Sequence, residues 1–122
     1  MTQYFKSVLD QDVSPVVLCD LQHTIVYMNP VAAERYAAFG GDKLVGKSLL
    51  DCHNPHSKAK IQQVIAWFAE DISHNRVYTF CNEKENKDVY MVALRDEAGK
   101  LIGYYEKHEY RNRETAALYD MR

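Results

Sequence analysis

The residue types best suited to metal chemistry are gathered in one short run, Cys52-His53-Asn54-Pro55-His56-Ser57. Thiolates and imidazoles are the usual ligands of zinc, and His53 and His56 are spaced to share one face of a helix. A structural zinc site needs four ligands, however, and no Cys-x-x-Cys pair occurs in the chain. Two or three candidate ligands without partners do not make such a site, and we predict no metal centre here.

The same run also fits the start of a helix. Asn54 is a suitable N-cap, Pro55 is pre-set for the first helical position, and Cys52 is a small residue suited to burial. This interpretation competes with a chemical role for the cluster. We keep Cys52 and His53 as candidate contacts of a bound molecule.

A second group of polar residues lies on the last predicted strand, from Leu101 to Tyr110. Strand side chains alternate between the two faces of a sheet, which places Tyr104, Glu106 and His108 together. The opposite set is more strongly charged, so we expect these three to face the side covered by helices. Alternatively, the end of the strand is solvated and both ionisable groups lie in water.

Composition excludes several classes of protein. The chain has 122 residues with 15 Lys+Arg against 17 Asp+Glu, and a net charge of -2 gives no electrostatic case for a nucleic-acid partner. No apolar run reaches the roughly 20 residues needed to cross a bilayer, and the N-terminus is too polar for a signal peptide. We expect a cytoplasmic single domain with free thiols and no membrane partner. No nucleophile-elbow or phosphate-loop spacing occurs, so we expect no enzyme.

The order of the predicted elements is strand, strand, helices, then three strands. The early strands are predicted at about 16–19 and 24–28, and the late ones at 76–82, 87–95 and 101–110. Between them, apolar residues at three- and four-residue spacing predict a long helix from about Pro55 to Asp71. This order predicts an α+β fold, with a five-stranded antiparallel sheet and helices packed on one face.

The segments outside this sheet domain are short. Residues 1–13 predict an N-terminal helix, and its apolar side is formed by Tyr4, Phe5, Val8 and Leu9. A lone helix of this length is marginal in water, so this side must pack on its own sheet or on a second copy of the chain. We expect a homodimer through this helix. Residues 112–122 are predicted to be a tail or a short helix.

The run from Thr24 to Leu50 carries a family resemblance. A strand closes at Asn29, a first-turn proline follows, and a Gly-Gly turn precedes a further turn that opens at Gly46. This order resembles a PAS domain, the small sensor module of bacterial signalling, and the likeness extends over residues 14–111. The Cys-His-x-Pro-x-Ser run is similar to PAS domains attached to hemerythrin-like regions.

The resemblance also bears on cofactors. Photoreceptor PAS domains that bind flavin carry a reactive cysteine which, aligned on Gly46, falls at Leu49 here, and Cys52 is three residues late. Haem-binding PAS domains place a histidine in the long helix, where 58–63 has none. Both cofactors are disfavoured by these routes, although other histidines remain available to haem.

The resemblance implies a sensory module that binds a small molecule between the long helix and the sheet. The expected ligand contacts on these elements are Ile61, Ile65, Phe68, Tyr104, Glu106 and His108. The alternative is a structural dimerisation or protein-interaction module with a filled core and no ligand. The stretch Glu109–Arg113 lacks the Asp-Ile-Thr-like signal that leads to a fused effector, so we expect output through a partner protein in trans.

Overall fold

The computed structural model describes the backbone of residues 1–122 and every side chain except that of Cys52. The strands are β1 (Val17–Asp20), β2 (Ile25–Met28), β3 (Arg76–Asn82), β4 (Lys87–Arg95) and β5 (Leu101–Tyr110). The α-helices are α1 (Thr2–Asp10), α2 (Pro30–Arg35) and α3 (Pro55–Glu70). Between α2 and α3 the chain forms three short 3-10 turns, at Ala37–Phe39, Gly41–Leu44 and Leu49–Cys52.

The five strands form one antiparallel sheet in the order β2-β1-β5-β4-β3. The predicted fold class is confirmed. Strand β1 pairs with β2, and β4 pairs with both of its chain neighbours, β3 and β5. The central pairing of β1 with β5 was not predicted. There the backbones approach closely, and a Cβ atom at Gly103 would collide with the carbonyl oxygen of Cys19. The pairing therefore needs glycine at this position.

Helix α3 begins where its capping residues predict. Asn54 Oδ1 accepts a hydrogen bond from the Ser57 amide at 2.8 Å, and Pro55 occupies the first helical position. The inward face of the helix buries Ile61 and Phe68 in the core. The core continues across the sheet through residues from β1, β2, β4 and β5, among them Cys19, Ile25, Met91 and Tyr104.

One fully buried side chain, Asn29, joins three elements. Its Oδ1 accepts hydrogen bonds from the Ala32 amide at the start of α2 and from the Val16 amide beside β1, at 3.0 and 2.9 Å. Its Nδ2 donates to the carbonyl oxygens of Leu9 in α1 and Ser14, both at 2.9 Å. Asn29 thus caps α2 and also attaches α1 to the domain.

Helix α1 leaves its apolar side uncovered. The exposed fractions are 64% for Tyr4, 64% for Phe5 and 69% for Val8. The far end of the helix is held by Asp10, which accepts a hydrogen bond from the Tyr27 hydroxyl. At the other end of the chain, residues 112–122 form bends, a turn and irregular backbone. Among the helices of the described chain, none has the length and apolar character that a bilayer crossing requires.

Candidate functional site

Two adjoining cavities lie on the helix-covered side of the sheet. The first has a volume of about 450 Å³ and lies between the sheet strands β1, β2 and β5 and the 3-10 turns. Its surface is mostly apolar, and its side chains include Cys19, Ile25, Met28, Leu44, Leu49 and Tyr104. A space of this size and character matches the usual site for a small organic ligand.

The second cavity is wider, about 790 Å³, and more open to solvent. It lies between α3 and the strands β3 and β4, and its lining is more polar. Permanent positive charges come from Arg35, Lys60 and Lys87, while Glu106 supplies the carboxyl group of the lining. This local excess of positive charge contrasts with the net negative charge of the whole chain.

Three side chains, those of His53, Glu106 and His108, line both cavities and form the boundary between them. Strand β5 supplies two of them, because its alternation turns Tyr104, Glu106 and His108 to the same side. His53 comes from the opposite wall, where its Nδ1–H donates to the Leu49 carbonyl at 2.9 Å. The boundary is therefore built from ionisable groups on two separate elements.

The His108 ring is almost fully enclosed, with 7% of its side chain exposed. Its Nδ1 has no hydrogen-bond partner among the described atoms, and its Nε2 lies 3.9 Å from Glu106 Oε2, too far for a hydrogen bond. Burial, together with the positive charges of Lys87 and Arg35, lowers the pKa of His108 to about 4. His108 is therefore a neutral imidazole at pH 7, and neither of its ring nitrogens forms a hydrogen bond with the described side chains.

Glu106 is surrounded by protein atoms, yet 41% of its side chain is exposed. The two observations agree because the exposed part borders the cavities. Desolvation raises the pKa of Glu106, against the opposing effect of positive charge on His53 and Lys87. The carboxyl group thus lies at the boundary with a raised pKa, and it is accessible from the cavities.

Tyr104, the third member of the alternating set, has its polar atom satisfied. Its hydroxyl lies 2.8 Å from His23 Nδ1, and the ring is buried beside Cys19. Desolvation raises the pKa of Tyr104, and it also raises the pKa of Cys19 to about 11. Both groups remain protonated at neutral pH, and their uncharged side chains line the first cavity.

Lys87 is a site residue that sequence reasoning missed. Only 1% of its side chain is exposed, and its Nζ has no hydrogen-bond partner among the described atoms. Glu85 Oε2 lies 3.5 Å from this nitrogen, and the Tyr110 ring centroid lies 5.2 Å from it. The alternation of side chains along β4 could have predicted that Lys87 is buried, because Lys87 shares a face with the buried Val89 and Met91.

Arg35 and Glu85 form an ion pair beside the second cavity. Two parallel hydrogen bonds of 2.8 Å join the guanidinium to the carboxylate, and Arg35 lowers the pKa of Glu85 to about 2. Glu85 is therefore ionised at any physiological pH. It is shared between two cations, Arg35 and the more distant Lys87.

The expected apolar contacts divide between cavity and core. Ile61 lines the second cavity, whereas Ile65 packs against the core and Phe68 is completely buried in it, and neither of these two lines a cavity. The apolar lining of the first cavity comes instead from the 3-10 turns and the early strands. The side chain of Cys52 lies outside the described residues. Among the described side chains, no three His, Cys, Asp or Glu groups are placed to hold a metal ion.

Comparisons with known proteins place this architecture in a family. A family model described as the PAS fold matches residues 9–107. No curated protein gives a significant match. A PAS domain from Colwellia psychrerythraea superposes with a TM-score of 0.65 at 14% identity, over 90% of this chain and 96% of that one.

Two further solved structures come from larger or signalling proteins. The VqmA dimer of Vibrio cholerae, described among LuxR-type receptors, gives a TM-score of 0.62 at 18% identity, over 92% of this chain and 53% of that one. A sensory box sensor histidine kinase from Vibrio cholerae gives 0.57 at 16% identity, over 89% and 90%. This chain thus spans about half of the VqmA chain and most of the kinase chain that was solved.

Proposed function

We propose a function for this chain, which belongs to the PAS-fold family. It is a sensory module which takes up a small molecule in the first cavity and signals through a partner. The observation that supports this best is the apolar cavity of about 450 Å³ that ends at the boundary of His53, Glu106 and His108. Such a space takes a ligand with an apolar body and a hydrogen-bonding head.

Energetics favour a ligand over a merely structural role for this boundary. A buried polar atom without a partner costs about 1–3 kcal/mol, and His108 Nδ1 is such an atom. A purely structural core would place an apolar side chain here, since none of the described contacts of His108 compensates for its burial. A ligand group that bonds to Nδ1 would recover that cost on binding.

A homodimer that passes its output to a partner protein in trans is the second part of the proposal. The apolar side of α1, with Tyr4, Phe5 and Val8 in solvent, offers a surface that a second copy would cover. The solved VqmA structure, with a similar fold, is named as a dimer. We place the module in the cytoplasm, where its free thiols are stable. The same exposed surface also fits the alternative of a dimerisation module without a ligand.

The link from cavity to helix α1 is short. Tyr36 and Phe39 line the first cavity and directly follow α2, whose cap Asn29 holds the Leu9 carbonyl of α1. A ligand that binds one arrangement of α2 better than another would shift the equilibrium between packings of α1. Ligand occupancy and the state of the dimer surface would then be coupled.

Extraction tests the ligand. Protein purified under native conditions is denatured, and the released small molecules are identified by mass spectrometry and visible absorbance. We expect a bound molecule in the natural chain and in Leu118→Trp, which changes an exposed tail residue, but not in Leu49→Trp, which fills the first cavity. Equal recovery from both variants would contradict binding in this cavity.

Light scattering tests the dimer. We expect a dimer that becomes a monomer in Phe5→Glu and persists in the control Val13→Glu, whose side chain is exposed beyond the end of α1. A monomer at high micromolar concentration, unchanged by Phe5→Glu, would rule out dimerisation through this helix. If a ligand is recovered but the protein is a monomer, the ligand-binding part of the proposal stands and the homodimer is ruled out.

A further inference from the structure

The second cavity contains an unusual lysine whose environment is incomplete. Lys87 is buried to 99% of its side chain, and its Nζ and His108 Nδ1 are the buried polar atoms without a hydrogen-bond partner among the described side chains. Both atoms belong to residues that line this cavity. A buried ammonium group normally has a full set of acceptors, because desolvating an unpaired charge is costly.

The charges around Lys87 leave one positive charge uncompensated. Glu85 is already engaged by Arg35 in a two-bond pair at 2.8 Å and lies 3.5 Å from Lys87 Nζ. Two cations therefore share one carboxylate. Lys60 adds a further positive charge to the lining, and His53, His56 and His108 add donor or acceptor nitrogens. One added negative charge would balance the Arg35, Glu85 and Lys87 group.

We infer that the ligand is a small organic acid whose carboxylate binds Lys87 Nζ in the second cavity while its apolar body extends past His108 into the first. This inference rests on the proposed ligand-binding function and names the chemical class of the ligand. Lys87 and His108 are diagonal neighbours on β4 and β5, about 7–8 Å apart at the backbone, so one small molecule reaches both.

A carboxylate fits this site better than a neutral head or a dianion. Lys87 offers three N–H donors and accepts nothing, so its partner must be an acceptor, and an ionised acceptor makes the stronger bond. A single negative charge matches the net positive charge of the Arg35, Glu85 and Lys87 group. Glu106 is the lining carboxyl group that would oppose an anion, and in its protonated form its O–H donates to the ligand oxygens instead.

Binding of octanoate and octanamide to the full chain, cleared of any extracted ligand, tests the inference by isothermal titration. The two probes share the apolar body and differ in the charged head. We expect octanoate to bind at least ten-fold more tightly than octanamide. In Lys87→Met, this preference should disappear while octanamide binding stays. The control Lys107→Met changes a half-exposed lysine on the other face of β5 and should keep the preference.

The outcomes separate the inference from the function on which it rests. Equal affinities in the natural chain, or a preference for octanoate that persists in Lys87→Met, would overturn the carboxylate site and leave a ligand-binding cavity. If neither probe binds and no molecule is extracted, both proposals fail. If Lys87→Met does not fold, the preference in the natural chain and its loss in Lys87→Gln decide the matter.

Discussion

The two faces of strands β4 and β5 treat their charged residues differently. On the outer face, Asp88 accepts from Arg111 at 2.7 Å and from the Tyr78 hydroxyl at 2.9 Å. Arg76 lies 4.0 Å from the Tyr90 ring centroid and pairs with Glu109 at 3.1 Å. On the inner face, Lys87 Nζ and His108 Nδ1 have no hydrogen-bond partner among the side chains that the structure describes.

This difference is the reverse of what stability requires. Ion pairs on a solvated surface contribute little, whereas buried polar groups need their partners most. The charged groups on the outer face have their partners, although such exposed pairs contribute little to stability. The buried polar groups on the inner face lack partners, although an unpaired group costs most there. An arrangement that lowers stability at a cavity is typical of a binding site. The predictions below test the contrast between the faces.

The largest effect is expected from protonation of His108 on the inner face. Its folded pKa of about 4 lies below its ordinary value of 6.5, so its contribution to stability is complete above pH 6.5 and is lost as the pH falls toward 4. That loss is about 3 kcal/mol, since one pKa unit corresponds to about 1.4 kcal/mol. Urea unfolding at pH 7 and pH 4 should show it in the natural chain and not in His108→Gln.

The groups that face His108 set the background of this measurement. Glu106, Lys87, Arg35 and Glu85 act on its charge. The raised pKa of Glu106 has the opposite sign, because stability then falls as the pH rises through its titration. The difference between the natural chain and the variant isolates His108. An identical pH dependence in both proteins would place the ring in solvent and remove the contrast.

The next effect concerns a satisfied polar group on the inner face. Tyr104→Phe removes the hydroxyl that bonds to His23 Nδ1 at 2.8 Å and leaves the ring in place. We expect a loss of about 1 kcal/mol in the free energy of unfolding. Chemical denaturation measures it, and Tyr110→Phe, whose exposed ring lies at the strand end, serves as the control. A gain in stability would mean that the Tyr104–His23 pair, like the buried polar atoms of Lys87 and His108, destabilises the fold.

A gain of similar or smaller size is expected from Lys87→Met. The change removes a buried charge and keeps the length of the side chain, and such replacements are often neutral or stabilising. We expect the free energy of unfolding to rise by about 1 kcal/mol, while Arg35 continues to neutralise Glu85. A loss above about 2 kcal/mol in thermal or urea unfolding would show that Lys87 is a structural residue.

The smallest effect is expected on the outer face. Arg76→Met removes one exposed ion pair and a contact with the Tyr90 ring, and we expect a change below about 1 kcal/mol. The change should shrink further in 1 M salt, which screens exposed charges. Urea unfolding at low and high salt measures both. A larger, salt-independent loss would mean that the outer network also holds the fold together.

Much of the fold was predictable because its signals are local. The bounds of β3, β4 and β5 follow from alternation and from polar turns, and they agree with the prediction residue for residue. The start of α3 follows from Asn54 and Pro55. The PAS resemblance is confirmed by the family match over residues 9–107, while the domain bounds 14–111 and the Cys-His-x-Pro-x-Ser subgroup stay predictions.

The central β1–β5 pairing was beyond reach, because strands about 80 residues apart carry no local signal of which neighbour they choose. The site was harder still. The periodicity of α3 shows that Ile61 and Phe68 both point inward. It does not show that Ile61 lines a cavity while Phe68 is fully buried in the core. Part of the lining of the first cavity comes from the 3-10 turns, whose sequences have no period to detect.

Asn29 shows how few side chains can perform a given structural task. A side-chain amide has two acceptor lone pairs and two N–H donors, and here all four are used within the protein. Aspartate of the same shape has no donors, serine has only one, and glutamine is a methylene too long for the buried space. The chemistry of this position therefore admits a single residue type among the twenty.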